Sequence, residues 1–129
     1  MDFQKRAQPV ISEAQIMTQA AVVAANRLGL DTATFAATIG VSETHAIDMT
    51  RLDHLLRKGT PPCDRALLLI RLFRALKHAG DEAAARDWLH GENTALGCRP
   101  VEMIDGEEGL GEIIRHLEDQ AANTYDKQD

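Results

Sequence analysis

The stretch from Asp81 to Leu117, DEAAARDWLHGENTALGCRPVEMIDGEEGLGEIIRHL, limits the architecture more than any other part of the chain. It carries the single tryptophan and a loop rich in glycine, asparagine and proline. A helix ends at Trp88-Leu89, where Gly91 and Asn93 stop it. Pro100 stands where a short helix starts, with Val101, Met103 and Ile104 giving it an apolar side. Gly106 breaks the chain again. Residues 107–121 then return to helical periodicity, with Leu110, Ile113, Ile114 and Leu117 on one stripe. Two helices joined in this way form a unit that has to bury its stripes against something, and the remainder of the chain is what it packs on.

Upstream, residues 63–78 form a helix that is apolar over more than one face, with Arg65, Arg71, Arg74 and Lys77 along its polar edge. Such a helix lies between layers, or faces both a core and a partner. Lys58-Gly59-Thr60-Pro61-Pro62 is a break before it. Nearer the N-terminus, Ser12 and Gln15 make a capping box for a helix to about Leu28. Ile16, Ala20, Val23 and Arg27 share one side of that helix, and Gly29 ends it. Asp31 or Thr32 caps TATFAATI. Gly40-Val41-Ser42 leads to a further helix from Glu43, expected to reach Leu55 or Leu56. Helix, glycine turn, valine, capping serine and helix is the local order of a helix-turn-helix. Alanine and leucine dominate and β-branched alternation is scarce, so the expected fold class is all-α. The expected division is a flexible arm over 1–11, a helix-turn-helix bundle over 12–60, a second helical domain over 61–120 and a tail over 121–129, in which Tyr125 is an unusual residue to leave exposed.

Charge and composition narrow the function. The chain has a formal charge of −6. Residues 1–59 carry six basic and six acidic side chains, residues 60–129 eight and fourteen. An acidic second half fits a basic partner or a solubilising surface, not non-specific nucleic-acid binding. Cys63 and Cys98 make neither a disulfide framework nor a metal set. The five histidines, at 45, 54, 78, 90 and 116, have no ligand spacing, so no metal and no cofactor are expected. Ser42 is a cap without a base to activate it, and no catalytic residue is assigned. The chain is expected to be no enzyme, to be cytoplasmic, and to have no membrane span or export signal. Recognition remains. For DNA the candidates are Ser42, Thr44 and His45 on the third helix, with Arg51, Arg57 and Lys58, joined by Arg27, as a phosphate rim. The first two turns of that helix offer no Arg or Lys, and Asp48 would repel a phosphate backbone. The hairpin serves equally well as a scaffold or dimerisation element.

With Trp88-Leu89, Asn93, Leu96-Gly97, Arg99-Pro100, Met103-Ile104, Gly109 and Ile113 to Leu117 in place, the chain resembles the Xre/MbcA/ParS-like antitoxins that partner RES-domain toxins. The family's Asn-x-x-Leu-Gly-Gly reads here Asn93-Thr94-Ala95-Leu96-Gly97-Cys98, with the second glycine replaced. Leu28-Gly29-Leu30 and Gly40-Val41-Ser42 resemble the Xre-type helix-turn-helix, although the family's basic positions on its third helix are Thr44, Ile47, Asp48 and Met49 here. The resemblance spans roughly residues 12–118.

What the resemblance implies is an antitoxin that occludes the active site of a cognate RES-domain, NAD-consuming toxin, with weak autoregulatory binding to promoter DNA. The implied toxin-binding residues are Ile113, Ile114 and Leu117 as an apolar centre, Arg115, and Glu118 and Asp119 as mimics of a pyrophosphate. Trp88, Asn93, Gly97, Arg99 and Pro100 are implied to be structural. A homodimer is expected, with helix 63–78 supplying part of its surface. Two other readings compete: a stand-alone helix-turn-helix regulator whose C-terminal domain dimerises, and an adaptor binding neither DNA nor toxin.

Overall fold

A computed structural model describes residues 12–127, with side chains to residue 122. The arm over 1–11, the last two residues and the side chain of Tyr125 lie outside the described residues. The order is α1 (Glu13–Arg27), α2 (Thr32–Ile39), α3 (Glu43–Thr50), α4 (Pro61–Ala79), α5 (Glu82–His90), a 3-10 helix (Pro100–Met103) and α6 (Glu107–Lys127). The fold is all-α. Among the described residues the one β-type pairing is an isolated bridge between Asn93 and Cys98.

Local chemistry sets most helix ends. The Ser12 hydroxyl accepts from the Gln15 amide at 3.1 Å, and the Gln15 side chain accepts from the Ser12 amide at 2.9 Å, closing the capping box. Asp31, Ser42 and Asp81 cap α2, α3 and α5 by the same acceptance from the third residue on. The bond from Thr34 holds the Asp31 carboxyl below its ordinary range. Gly40 ends α2 with φ +78°, a left-handed conformation open to glycine. A Cβ there would stand 2.9 Å from the guanidinium of Arg65, which lies over the turn.

α3 stops at Thr50 and does not reach Leu55 or Leu56. Leu52 takes φ +62°, the amide of Asp53 donates to Asp48 and that of Leu52 to Met49. This is a Schellman termination with leucine at the position usually given to glycine.

α4 is the axis of the molecule. It packs on α1 and α2 on one side and on α5 and α6 on the other. Its buried residues are Cys63, Ala66, Leu69, Leu72 and Leu76, and they join both groups of helices in one core cluster. The breadth of its apolar surface is thereby used, except at Leu67, which is 47% exposed. α1 contributes small residues to that core, Ala21, Ala24, Ala25 and Thr18, and turns Ile16 and Val23 outward.

Thr18 ties α1 to the segment before α4. Its fully buried hydroxyl donates to the Ala14 carbonyl at 2.7 Å and accepts from the Leu56 amide at 2.8 Å. Thr18→Val keeps the volume and orphans the buried Leu56 N–H. The expected loss is about 1–3 kcal/mol, read as a lower midpoint in urea with an unchanged slope.

Candidate protein-binding surface

The loop after α5 fixes the direction of α6. The Asn93 side chain accepts from the Leu96 amide at 3.2 Å, and its carbonyl accepts from the Gly97 amide at 2.9 Å. Gly97 has φ +78° with open space around it, so the backbone conformation, not crowding, selects glycine there. Cys98 then pairs across to Asn93. Glu102 accepts from both the amide and the Nε of Arg99, at 3.2 and 3.1 Å, and these bonds hold its carboxyl below the usual range. Pro100 is buried. Trp88 is half-buried and packs against the core cluster.

α5 is also fastened to the end of α1. The Arg86 guanidinium donates to the Arg27 carbonyl at 3.2 Å and to Glu82 at 2.8 Å, and His90 Nε2 lies 2.9 Å from the Leu28 carbonyl. Free carbonyls at a helix end are thus satisfied from across the fold.

α6 spends its apolar stripe internally. Leu110, Ile113 and Ile114 are buried and Leu117 is 8% exposed. Ile113, Ile114 and Leu117 therefore have almost no surface to offer a partner, and the apolar centre expected from them belongs to the chain's own core. Their burial holds the outer face of α6 in position.

That outer face carries Glu108, Glu112, Arg115 and Asp119, all exposed and at helical spacing. Toward α4, Arg71 forks onto Glu118, with Nε and one terminal nitrogen 2.9 and 2.7 Å from its two oxygens. The carboxylate raises the Arg71 pKa. Both side chains are partly exposed, so solvent screens the pair and it adds little to stability. Its effect is to commit Glu118, expected as a free mimic of a pyrophosphate, to an intramolecular bidentate bond. Asp119 keeps its carboxylate outward. A shallow cleft between α4 and α6 is lined by Arg71, Glu107, Glu108, Gly111 and Arg115. Periodicity did not single out Gly111, and it placed Arg71 only on the polar edge of α4. A glycine inside an otherwise helical pattern was the available signal for the first. The second is linked to Glu118 only through the fold, 47 residues away.

The residues expected at a DNA interface are spread over α3 and the segment after it. Ser42 uses its hydroxyl as the α3 cap. The His45 ring stacks on His54 with centroids 4.1 Å apart and planes 8° from parallel. Thr44 is exposed at the start of α3, Arg51 is its C-cap, and Arg57 and Lys58 are exposed beyond it. Ile47, at the middle of the same helix, is 45% exposed. Among the described residues no group of His, Cys, Asp and Glu gathers as a metal site. No helix of the described residues is long and apolar enough to cross a membrane.

Comparison with known proteins adds one finding. No curated protein matches the chain. Residues 69–121 match the family described as the antitoxin Xre/MbcA/ParS C-terminal toxin-binding domain. The matched range runs from within α4 through α5, the loop and the 3-10 helix into α6. The part of the chain that packs α5, the 3-10 helix and α6 onto α4 is thus similar in sequence to an antitoxin's toxin-binding domain.

Proposed function

We propose that the chain neutralises a RES-domain toxin by laying the outer face of α6 over the toxin's NAD pocket. The observation that carries this reading is the division of labour on α6. Its apolar stripe is consumed by the core, while Glu108, Glu112, Arg115 and Asp119 stand exposed within the matched domain. A pocket for a dinucleotide needs cationic groups for the pyrophosphate, and a line of carboxylates complements them. Glu112 and Asp119 supply exposed charges, and Glu118 stays with Arg71. The RES class rests on the resemblance of the Trp88-Leu89 to Leu117 motifs to that family.

The test is co-expression with a candidate cognate RES-domain toxin, followed by co-purification and an NAD-consumption assay. The wild-type chain is expected to co-purify and to suppress NAD loss. Glu112→Lys with Asp119→Lys is expected to weaken capture at least about tenfold, or about 1.4 kcal/mol, with the helical circular dichroism unchanged. Undiminished capture by the double variant overturns the assignment of this face, and absence of capture by the wild type overturns the toxin class. The α2–Gly40–α3 hairpin is proposed to add weak binding to the chain's own promoter, through Arg51, Arg57 and Lys58 more than through base contacts. Retention in the same preparation should then fall steeply with salt and be blind to sequence. Sequence-selective retention would instead favour the stand-alone regulator.

A further inference from the structure

Beside the acidic helix α6, α4 turns a basic edge to solvent. Leu67, Arg71, Arg74 and His78 follow one another at intervals of four, three and four, which sets them on one stripe, and all four are exposed. They lie in the half of the chain, residues 60–129, where fourteen acids stand against eight bases. The helix dipole favours a base at Lys77 or His78, in the last turn of α4. That effect fades before Arg74 and Arg71, so the helix end does not account for them.

The stripe forms one wall of a groove of about 300 Å³ between α4 and α6. Arg71, Arg74 and His78 supply its donors, and Ala75, Leu117 and Ala121 give it an apolar lining. The alanines, one on each helix, leave room that larger side chains would fill. Of the described lining residues the one acid is Glu118, and both of its oxygens are taken by Arg71 through Nε and Nη2. That fork leaves the other terminal nitrogen of Arg71 to spare. The four ion pairs among the described residues use Arg27, Arg71, Arg86 and Arg99, so Arg74 stands outside them. A guanidinium binds a carboxylate by two parallel N–H···O bonds. A wall of this kind therefore selects carboxylates, and the apolar lining takes the stems that carry them.

We propose that the α4–α6 groove is a second contact with the toxin, seating an acidic segment on the rim of its pocket and fixing its register on α6. This contact rests on the toxin-binding reading proposed above and adds to it. The carboxylates enter against Arg74 and His78, while the Arg71–Glu118 fork stays closed. The toxin is favoured as occupant because the groove, from Arg71 to Ala121, lies wholly within the matched range 69–121. The groove is also continuous with the outer face of α6, since Glu118 lies one turn on from Arg115. Duplex DNA is disfavoured by the exposed Glu112, Glu118 and Asp119 alongside. Neighbouring stripes of opposite sign, basic on α4 and acidic on α6, accept one orientation of a partner, because a reversed one brings like charges together.

Capture of a candidate cognate RES-domain toxin by the full chain tests this. Arg74→Glu with His78→Glu, both at exposed positions, should weaken capture at least about tenfold, with thermal midpoint and helical circular dichroism unchanged. Arg74→Lys keeps the positive charge and supplies an amine. Carbodiimide treatment of its complex should join position 74 to an aspartate or glutamate of the toxin, located by peptide mapping. Undiminished capture by the charge reversal, or no cross-link from position 74 to the toxin, overturns the groove and leaves the α6 face to its own variants. A cross-link from position 74 to a second copy of this chain overturns it as well. If the reversal lowers retention on promoter DNA and spares toxin capture, the stripe holds phosphates and the proposal fails. Absence of capture by the wild type overturns the toxin-binding reading and this contact with it, a result distinct from undiminished capture by the reversal.

Discussion

Gly109→Ala is expected to unfold or badly loosen the C-terminal unit, although a glycine-to-alanine change inside a helix ordinarily stabilises. Gly109 lies in the first turn of α6, against the backbone of the 3-10 helix. A Cβ built on it would overlap the Met103 carbonyl oxygen and stand 3.0 Å from the carbonyl carbon. The obstacle is main chain, so no rotamer change relieves it. Met103 cannot retreat freely, because Pro100 and Ile104 on either side of it are buried and the 3-10 helix is wedged against α5 and α6. The gain from helix propensity is about 1 kcal/mol. Forcing two packed backbones apart costs typically about 1–3 kcal/mol and more where the neighbours are rigid. The clash wins. The net loss is expected to be about 2–3 kcal/mol, seen as a fall of about 10 °C in the thermal midpoint. Toxin capture should fall with it, since α6 loses its angle. A variant with wild-type thermal stability would show that α6 and the 3-10 helix are not held at this point.

How far the sequence could be read follows the range of the interactions involved. The capping box of Ser12 and Gln15, the cap at Ser42, the start of α2 at Asp31 or Thr32, and the turns at Gly29 and Gly40 each depend on a few adjacent residues, and these were legible. The end of α3 was not, because its termination puts Leu52 in a left-handed conformation that its side chain gives no reason to expect. The side of α1 that faces the core was also hidden. Larger apolar residues, Ile16 and Val23, marked one face, whereas α1 buries alanines and a threonine to come close to α4 and accept the Leu56 amide. On α6 the apolar stripe was legible but its destination was not. Periodicity says that Ile113, Ile114 and Leu117 share a face, and only the packing on α4 decides that this face is the chain's own core. Glu118 was hidden for a related reason, since its partner Arg71 is distant in sequence.

Gly111 gives the second large effect, with the opposite signature to Gly109. It also lies inside α6, two residues on, yet nothing stands within 4 Å of a Cβ built there. The fold has no use for a glycine at this position and bears a helix cost of about 1 kcal/mol for it. Gly111→Ala is therefore expected to raise the thermal midpoint by about 4 °C. On the proposed reading the glycine leaves a notch in the cleft bordered by Arg71, Glu107, Glu108 and Arg115, where an element of the toxin approaches the α6 backbone. Gly111→Trp should then leave the free chain folded, with little change in midpoint, and reduce toxin capture by about 100-fold or more, or about 2.7 kcal/mol. Calorimetry of the free chain and titration against the toxin separate the two quantities. If Gly111→Trp binds as the wild type does, the toxin does not approach α6 from this side. A loss of affinity in Gly111→Trp with stability intact, set beside a loss of both in Gly109→Ala, would distinguish a glycine kept for a partner from one kept for the fold.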